Sequence, residues 1–277
     1  YYDSLGRLNK ETSTNGIEKT YSYDANNNRK TMVISKGGVI VTNTSYTYDT
    51  MDRLHQVYEN GQLKATYGYD DNGNRKSLDY ANGVSTEYLY NLANSVTKLT
   101  NKKGTSILSD FSYTHYLNGN QATKTDSNGM TSYIYDGLGR LKSETAPDAT
   151  MRYQYDDYSN RKEMSVNSPA SSFVTSYTYD PNNRLKQEIK VSGDQSQITS
   201  YRYDKNGNQL LKSMETIAPA GQGQADYGIY AAGEAPDNVV ELYEYDGFNR
   251  LTKSTVADKI VEYTYNADGL RTSKKVN

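Results

Sequence analysis

The sequence predicts an all-β fold: a repeat array of about twelve antiparallel β-hairpins forming one continuous strip that twists and coils. A "YxYD" motif recurs from one end of the 277 residues to the other. Asn-Gly or Gly-Gly pairs fall midway between its copies, and Thr, Val, Ile, Tyr and Leu alternate with Lys, Glu and Ser in the runs between. These are corner, turn and strand.

The corner comes first. Its second position falls at Tyr2, Tyr23, Tyr48, Tyr69, Tyr90, His115, Tyr135, Tyr155, Tyr179, Tyr203, Tyr245 and Tyr265, in steps of 21, 25, 21, 21, 25, 20, 20, 24, 24, 42 and 20 residues. Of the 29 tyrosines, 22 occupy a motif position, so the motif is the architecture of the chain. The candidate structural sets are Tyr21, Tyr23 and Asp24; Tyr46, Tyr48 and Asp49; Tyr67, Tyr69, Asp70 and Arg75; and Tyr133, Tyr135, Asp136 and Arg140. The same set continues as Tyr153, Tyr155, Asp156 and Arg161; Tyr177, Tyr179, Asp180 and Arg184; Tyr201, Tyr203 and Asp204; and Tyr243, Tyr245, Asp246 and Arg250. Two tyrosines at i and i+2 of a strand project from one face, so repetition builds a tyrosine ladder.

The copies alternate. In odd ones Arg lies four residues after the Asp and precedes Leu, as in "YDGLGRL" and "YDGFNRL". In even ones Arg or Gln lies five after it, at Arg29, Arg75, Gln121, Arg161, Gln209 and Arg271. The translational unit is a pair of hairpins, about 44 residues. Two copies decay: "YLYNLANS" lacks the Asp and Arg, and "YTHYLNGNQ" sets His115 and Tyr116 where Tyr and Asp belong.

Midway turns come next. Asn15-Gly16, Asn60-Gly61, Asn82-Gly83 and Asn128-Gly129 read as type I′ signals with positive φ at both residues, and Gly37-Gly38 fills the same slot. Twelve hairpins of 20–25 residues predict roughly 24 strands in one array over 1–277, interrupted by a long loop at 210–241. Flat, the strip would run on the order of 115 Å; sheets twist, so it coils.

Composition excludes several functions. Formal charge is -2 with Lys and Arg dispersed, which supplies no basic field for nucleic acid. No run of 18 apolar residues predicts a membrane span, and no charged-then-apolar leader predicts a signal peptide within these residues. Cysteine is absent, which removes disulfides, thiol nucleophiles and thiolate metal sites and suits oxidising surroundings.

The motifs "YDGLGRL", "YQYDDYSNR" and "YDxNGNR" resemble the YD repeats of the RHS family, over nearly the whole chain and twelve copies. That family includes Rhs and wall-associated polymorphic toxins, the C component of toxin complexes, and teneurins. The resemblance implies a β-hairpin strip coiled into a hollow shell, often around a C-terminal toxin, on secreted or surface proteins, most of them bacterial. The family's "DPxGxxGG"-like self-cleaving sequence has no counterpart here: the only Asp-Pro is Asp180-Pro181, followed by Asn182-Asn183. Self-cleavage is therefore not carried over, and no toxin domain follows Asn277 in this sequence.

Isolated chemistry is weighed against that repetition. "DDNGN" and "DKNGN" offer a candidate cation set of Asp70, Asp71, Asn72, Asn74, Asp204, Asn206 and Asn208, but the Gly sits fourth and not sixth, so a hydrogen-bonded turn is the preferred reading. A recurring Asp-Arg pair is structural, since an active site needs one geometry and not a ladder. His55 and His115, the only histidines, lie in different repeats, and His115 reads as a ring replacing a ring. Asn43-Thr44-Ser45 is a glycosylation sequon in a eukaryotic secretory host. No catalytic residue and no cofactor is assigned. The expected role is a non-enzymatic shell segment, partnered by remaining repeats or a toxin domain of a larger polypeptide. The alternatives are an extracellular filament of further copies joined through open β-edges, and an adhesin whose tyrosines bind carbohydrate.

Overall fold

The computed structural model describes residues 1–217, 239–257 and 259–277. Among them it forms 23 strands, from Lys10–Thr12 to Arg271–Val276, and no helix. The half-strand that would complete twenty-four is present as a single antiparallel bridge, Tyr2 to Leu8. The described residues gather into two compact units, Tyr1–Ser132 and Tyr133–Asn277. Within each, the strands pair antiparallel with their sequence neighbours, for example Ile17–Tyr23 with Arg29–Lys36 and Ser172–Tyr179 with Leu185–Ser192. Each unit is a meander.

The expected loop at 210–241 is narrower than its sequence suggests. Gln209–Ile217 is a strand, paired with Val239–Tyr245 through Leu211 and Leu242. Its alternating Leu, Lys and Met keep the period-2 pattern up to Ile217, which the Pro and Gly content further on obscured. Residues 218–238 lie outside the described residues.

The midway turns also differ from expectation. Asn60-Gly61 and Gly37-Gly38 have positive φ at both residues, as a type I′ turn requires. At Asn15-Gly16 and Asn82-Gly83 only the glycine does, with φ of +80 and +81. There Gly16 N donates to Ser13 O and Ser13 N to Ile17 O, a type I turn closed by a left-handed glycine. Asn128-Gly129 likewise places only Gly129 at positive φ.

From Tyr21 onward the ladder tyrosines are half-buried, whereas Tyr2 at the first corner is exposed, and the residue between the two rings is in most copies exposed. Among the described residues no second layer rises over the rings. Ala65, Leu78 and Ile198 are the buried apolar residues, and no side chain is fully buried among the described residues. The accessible surface is 18741 Å², where a compact protein of this mass exposes about 12,000 Å². Small buried side chains supply a third rung that the motif does not show. Ala65, Thr86, Thr131, Thr175 and Thr199 each precede the first tyrosine of their copy by two residues, and so lie on the ring face.

Candidate functional site: the tyrosine-aspartate corner

Each corner is a five-residue loop that the Asp builds. In odd copies the Asp N–H bonds the Arg carbonyl four residues on (Asp136 N to Arg140 O, 2.9 Å), and the residue three on closes a turn to the Asp carbonyl (Gly139 N, 3.0 Å). Asp136 Oδ1 accepts the N–H groups of Leu138 and Arg140, and Oδ2 accepts Arg140 Nε at 2.7 Å. Asp3, Asp49, Asp180 and Asp246 repeat this with Arg7, Arg53, Arg184 and Arg250. The residue three after the Asp must adopt positive φ, and Asn, Asp, Ser or Gly fills it: Asn27, Asp52, Gly73, Ser159, Asn183 and Asn249. Each corner also carries a register shift before the second tyrosine, as between Gln154 and Tyr155, which lets the strand turn.

The alternation of Arg spacing has a structural cause. In the four even copies that keep the Asp before the turn, an Asn takes the place four after it. Asn28, Asn74, Asn160 and Asn208 donate Nδ2 to the Asp Oδ2, and again to the next corner, at Asp52, Asn94, Asn183 and Asn249. The displaced arginine lies over the first tyrosine of its own copy: Arg29 over Tyr21, Arg75 over Tyr67 and Arg161 over Tyr153, at 4.9–5.2 Å. Odd-copy arginines instead cover the second tyrosine of the next copy, Arg7 over Tyr23, Arg53 over Tyr69, Arg140 over Tyr155 and Arg184 over Tyr203. Those tyrosine hydroxyls donate back to a carbonyl near the preceding corner, as Tyr69 to Leu54 O and Tyr155 to Leu141 O. Cation, ring and hydroxyl thus tie each hairpin to the one before.

Ionisation follows this geometry. The Arg7, Arg53 and Arg140 backbone N–H groups hold Asp3, Asp49 and Asp136 below the usual carboxylate range, and the Asn74 and Asn208 amides do so for Asp70 and Asp204. Asp156, Asp180 and Asp246 feel burial first, which pushes upward, and the corner hydrogen bonds overcome it. Burial pushes Tyr48, Tyr90, Tyr153, Tyr179, Tyr203 and Tyr245 up. Burial and then Glu188 raise Tyr201 to about 12.

The candidate cation set is brought together as a closed turn. Asp70 Oδ1 accepts from Asn72 N and Asn74 N, and Oδ2 from Asn74 Nδ2; Asp204 is filled the same way by Asn206 N, Asn208 N and Asn208 Nδ2. Amide donors, not acceptor oxygens, converge there. Asp71 stands outside this network on the exposed side. Among the described residues no group of three or more His, Cys, Asp or Glu could hold a metal ion. The decayed copies keep the corner: Asn91 Oδ1 accepts from Ala93 N and Ser95 N, and Tyr116 N bonds Asn120 O. His115 occupies the ladder position, with Nδ1 buried and unpartnered.

One corner is incomplete. Arg7 Nη1 donates to Asn27 Oδ1 and Arg140 Nη1 to Ser159 Oγ, but Gly73 stands at that place opposite Arg53, whose Nη1 is buried without a partner. A Cβ on Gly73 would meet only that nitrogen, at 3.6 Å, and Asn27 already holds the left-handed φ at this place. Gly73→Asn is expected to stabilise the protein by about 1 kcal/mol in urea unfolding, by completing the bond. A loss of stability would contradict this account of the corner.

The RHS Repeat family model matches residues 2–40 and 116–151. No curated protein matches the chain. Among solved structures, a chain of the crystal structure of TcdB2-TccC3-Cdc42 is similar, with a TM-score of 0.67 and 15% identity, over 99% of this chain and 16% of that one. A chain of TcdB2-TccC3-TEV is similar with a TM-score of 0.54 and 13% identity, over 99% of this chain and 20% of that one. At that identity the likeness is one of fold, and this chain spans at most a fifth of those two solved chains. The RHS, or YD, repeat matched at 2–40 and 116–151 has the same hairpin meander and tyrosine-aspartate corner that recur along the other described residues.

Proposed function

We propose that this chain is a wall segment of a hollow RHS shell on a bacterial secreted or surface protein, enclosing or displaying cargo carried by the same or an associated polypeptide. The observation that carries the reading is the ring face, half-buried from Tyr21 onward with no second layer over it among the described residues. A sheet of this kind is stable only if its strip continues or curls, since its rings otherwise face water. The repeats and the fold likeness to TcdB2-TccC3 chains support a structural, shell-like role. The role is non-enzymatic: the recurring Asp and Arg neutralise each other at the five odd corners that keep both, which leaves neither free for a substrate.

Electron microscopy of the full-length gene product tests this. Closed hollow particles that shield an internal segment from added protease are expected. Long regular fibres, or ready digestion of the interior, would overturn it.

A further inference from the structure

Three even corners carry a second clip besides the Asn four after the Asp. Two residues after it, Asn26, Asn72 and Asn206 donate Nδ2 across to Asp52, Asn94 and Asn249 of the next corner, at 2.7, 3.4 and 3.0 Å. The corner at Asp156 departs from this rule. Its residue at that place is Tyr158, 78% exposed, and only Asn160 still reaches across, to Asn183 Oδ1 at 3.2 Å. Loss of the clip leaves a cleft of about 680 Å³ between this corner and the one at Asp180, lined by Tyr158, Pro181, Asp157, Lys162 and Thr178 among others. That volume lies within the ~300–1,000 Å³ typical of small-ligand clefts.

The lining states what it would take. The Asp156 and Asp180 carboxylates are consumed by their own corners. The Asp157 carboxylate, the Lys162 ammonium and the Tyr158 hydroxyl have no partner within the protein. Lys162 is the extra residue of the bulge opposite Gln154 and Tyr155, which lets it stand at the cleft edge. A free cation would meet Lys162 and a free anion would meet Asp157, so neither charge is favoured. What fits is a neutral ring with one flat C–H face to lie on the Tyr158 ring and hydroxyls around its rim for Asp157 and Lys162. The geometry points to a gluco-configured sugar, whose equatorial hydroxyls leave that flat C–H face open, bound between Tyr158 and Pro181. This subsite is independent of whether the chain forms a shell.

Cellobiose is the probe, observed by saturation-transfer NMR on the wild-type protein and on Tyr158→Asn. That variant restores the residue of the other even corners, so it is expected to fold at least as stably as wild type. Saturation is expected to reach the axial C–H protons of one glucose ring in wild type. Tyr158→Asn should weaken binding about tenfold, equivalent to roughly 1.4 kcal/mol of lost stacking, while Tyr158→Trp retains it. Absence of transfer to wild type, or equal transfer to a folded Tyr158→Asn, would overturn the assignment.

Discussion

Tyr155→Ala is expected to destabilise the repeats around it by about 3 kcal/mol, the largest single-residue effect on the ladder. The ring lies half-buried under the Arg140 guanidinium, 4.5 Å from its centroid, and its hydroxyl reaches Leu141 O at 2.8 Å. Truncation removes all three ties at once and exposes the flanking rungs. Tyr155→Phe, which keeps ring and cation contact and loses only the hydrogen bond, should cost about 1 kcal/mol. Leu138→Ser, at the neighbouring corner tip and 75% exposed, should stay within about 0.5 kcal/mol. Urea unfolding of the three variants checks this order, and hydrogen exchange should place the loosening next to the substitution, because repeats contact only their neighbours. A Tyr155→Ala protein as stable as Leu138→Ser would refute the ladder as the source of cohesion.

Acid is expected to undo the strip cooperatively. Eight corner aspartates, at 3, 49, 70, 136, 156, 180, 204 and 246, have folded-state values below the ordinary 3.8. For a depressed carboxylate the unfolded chain binds the proton more tightly. Its stabilisation is therefore whole above about pH 4 and disappears as pH falls through the folded-state values. Eight equivalent corners lose theirs over the same window, so the unfolding midpoint should fall steeply as pH drops below about 4, with net proton uptake on unfolding. Unfolding midpoints in urea across that range, with calorimetric proton counting, would show it. A flat profile would mean the carboxylates are not tied in the folded corners.

Most of the architecture was legible in the sequence because repetition multiplies weak signals. One "YxYD" with a midway turn is ambiguous, but a dozen in register admit only a hairpin meander. The face of the tyrosines, the opening of the turn by Asp and the alternation of Arg were readable from spacing. What the alternation does was not, because it depends on partners in the next copy: Asn74 gains its role only from Asn94, 20 residues on. The type I′ reading failed at Asn15 and Asn82 because Asn-Gly also suits the last two residues of a three-residue loop, where glycine alone needs positive φ. The third rung escaped notice because Ala65 and Thr86 share only small size, and small residues carry no motif.

The two kinds of corner have a consequence for how such a chain can lengthen over generations. An Arg corner hands its guanidinium to the tyrosine of the copy that follows, and an Asn corner hands its amide to the left-handed residue of the copy after that. Duplicating or deleting one hairpin sets two like corners side by side and breaks the alternation of guanidinium and amide handovers. Gain or loss of two hairpins preserves every handover. Change of the gene in steps of about 44 residues therefore keeps the alternation, and steps of half that size break it.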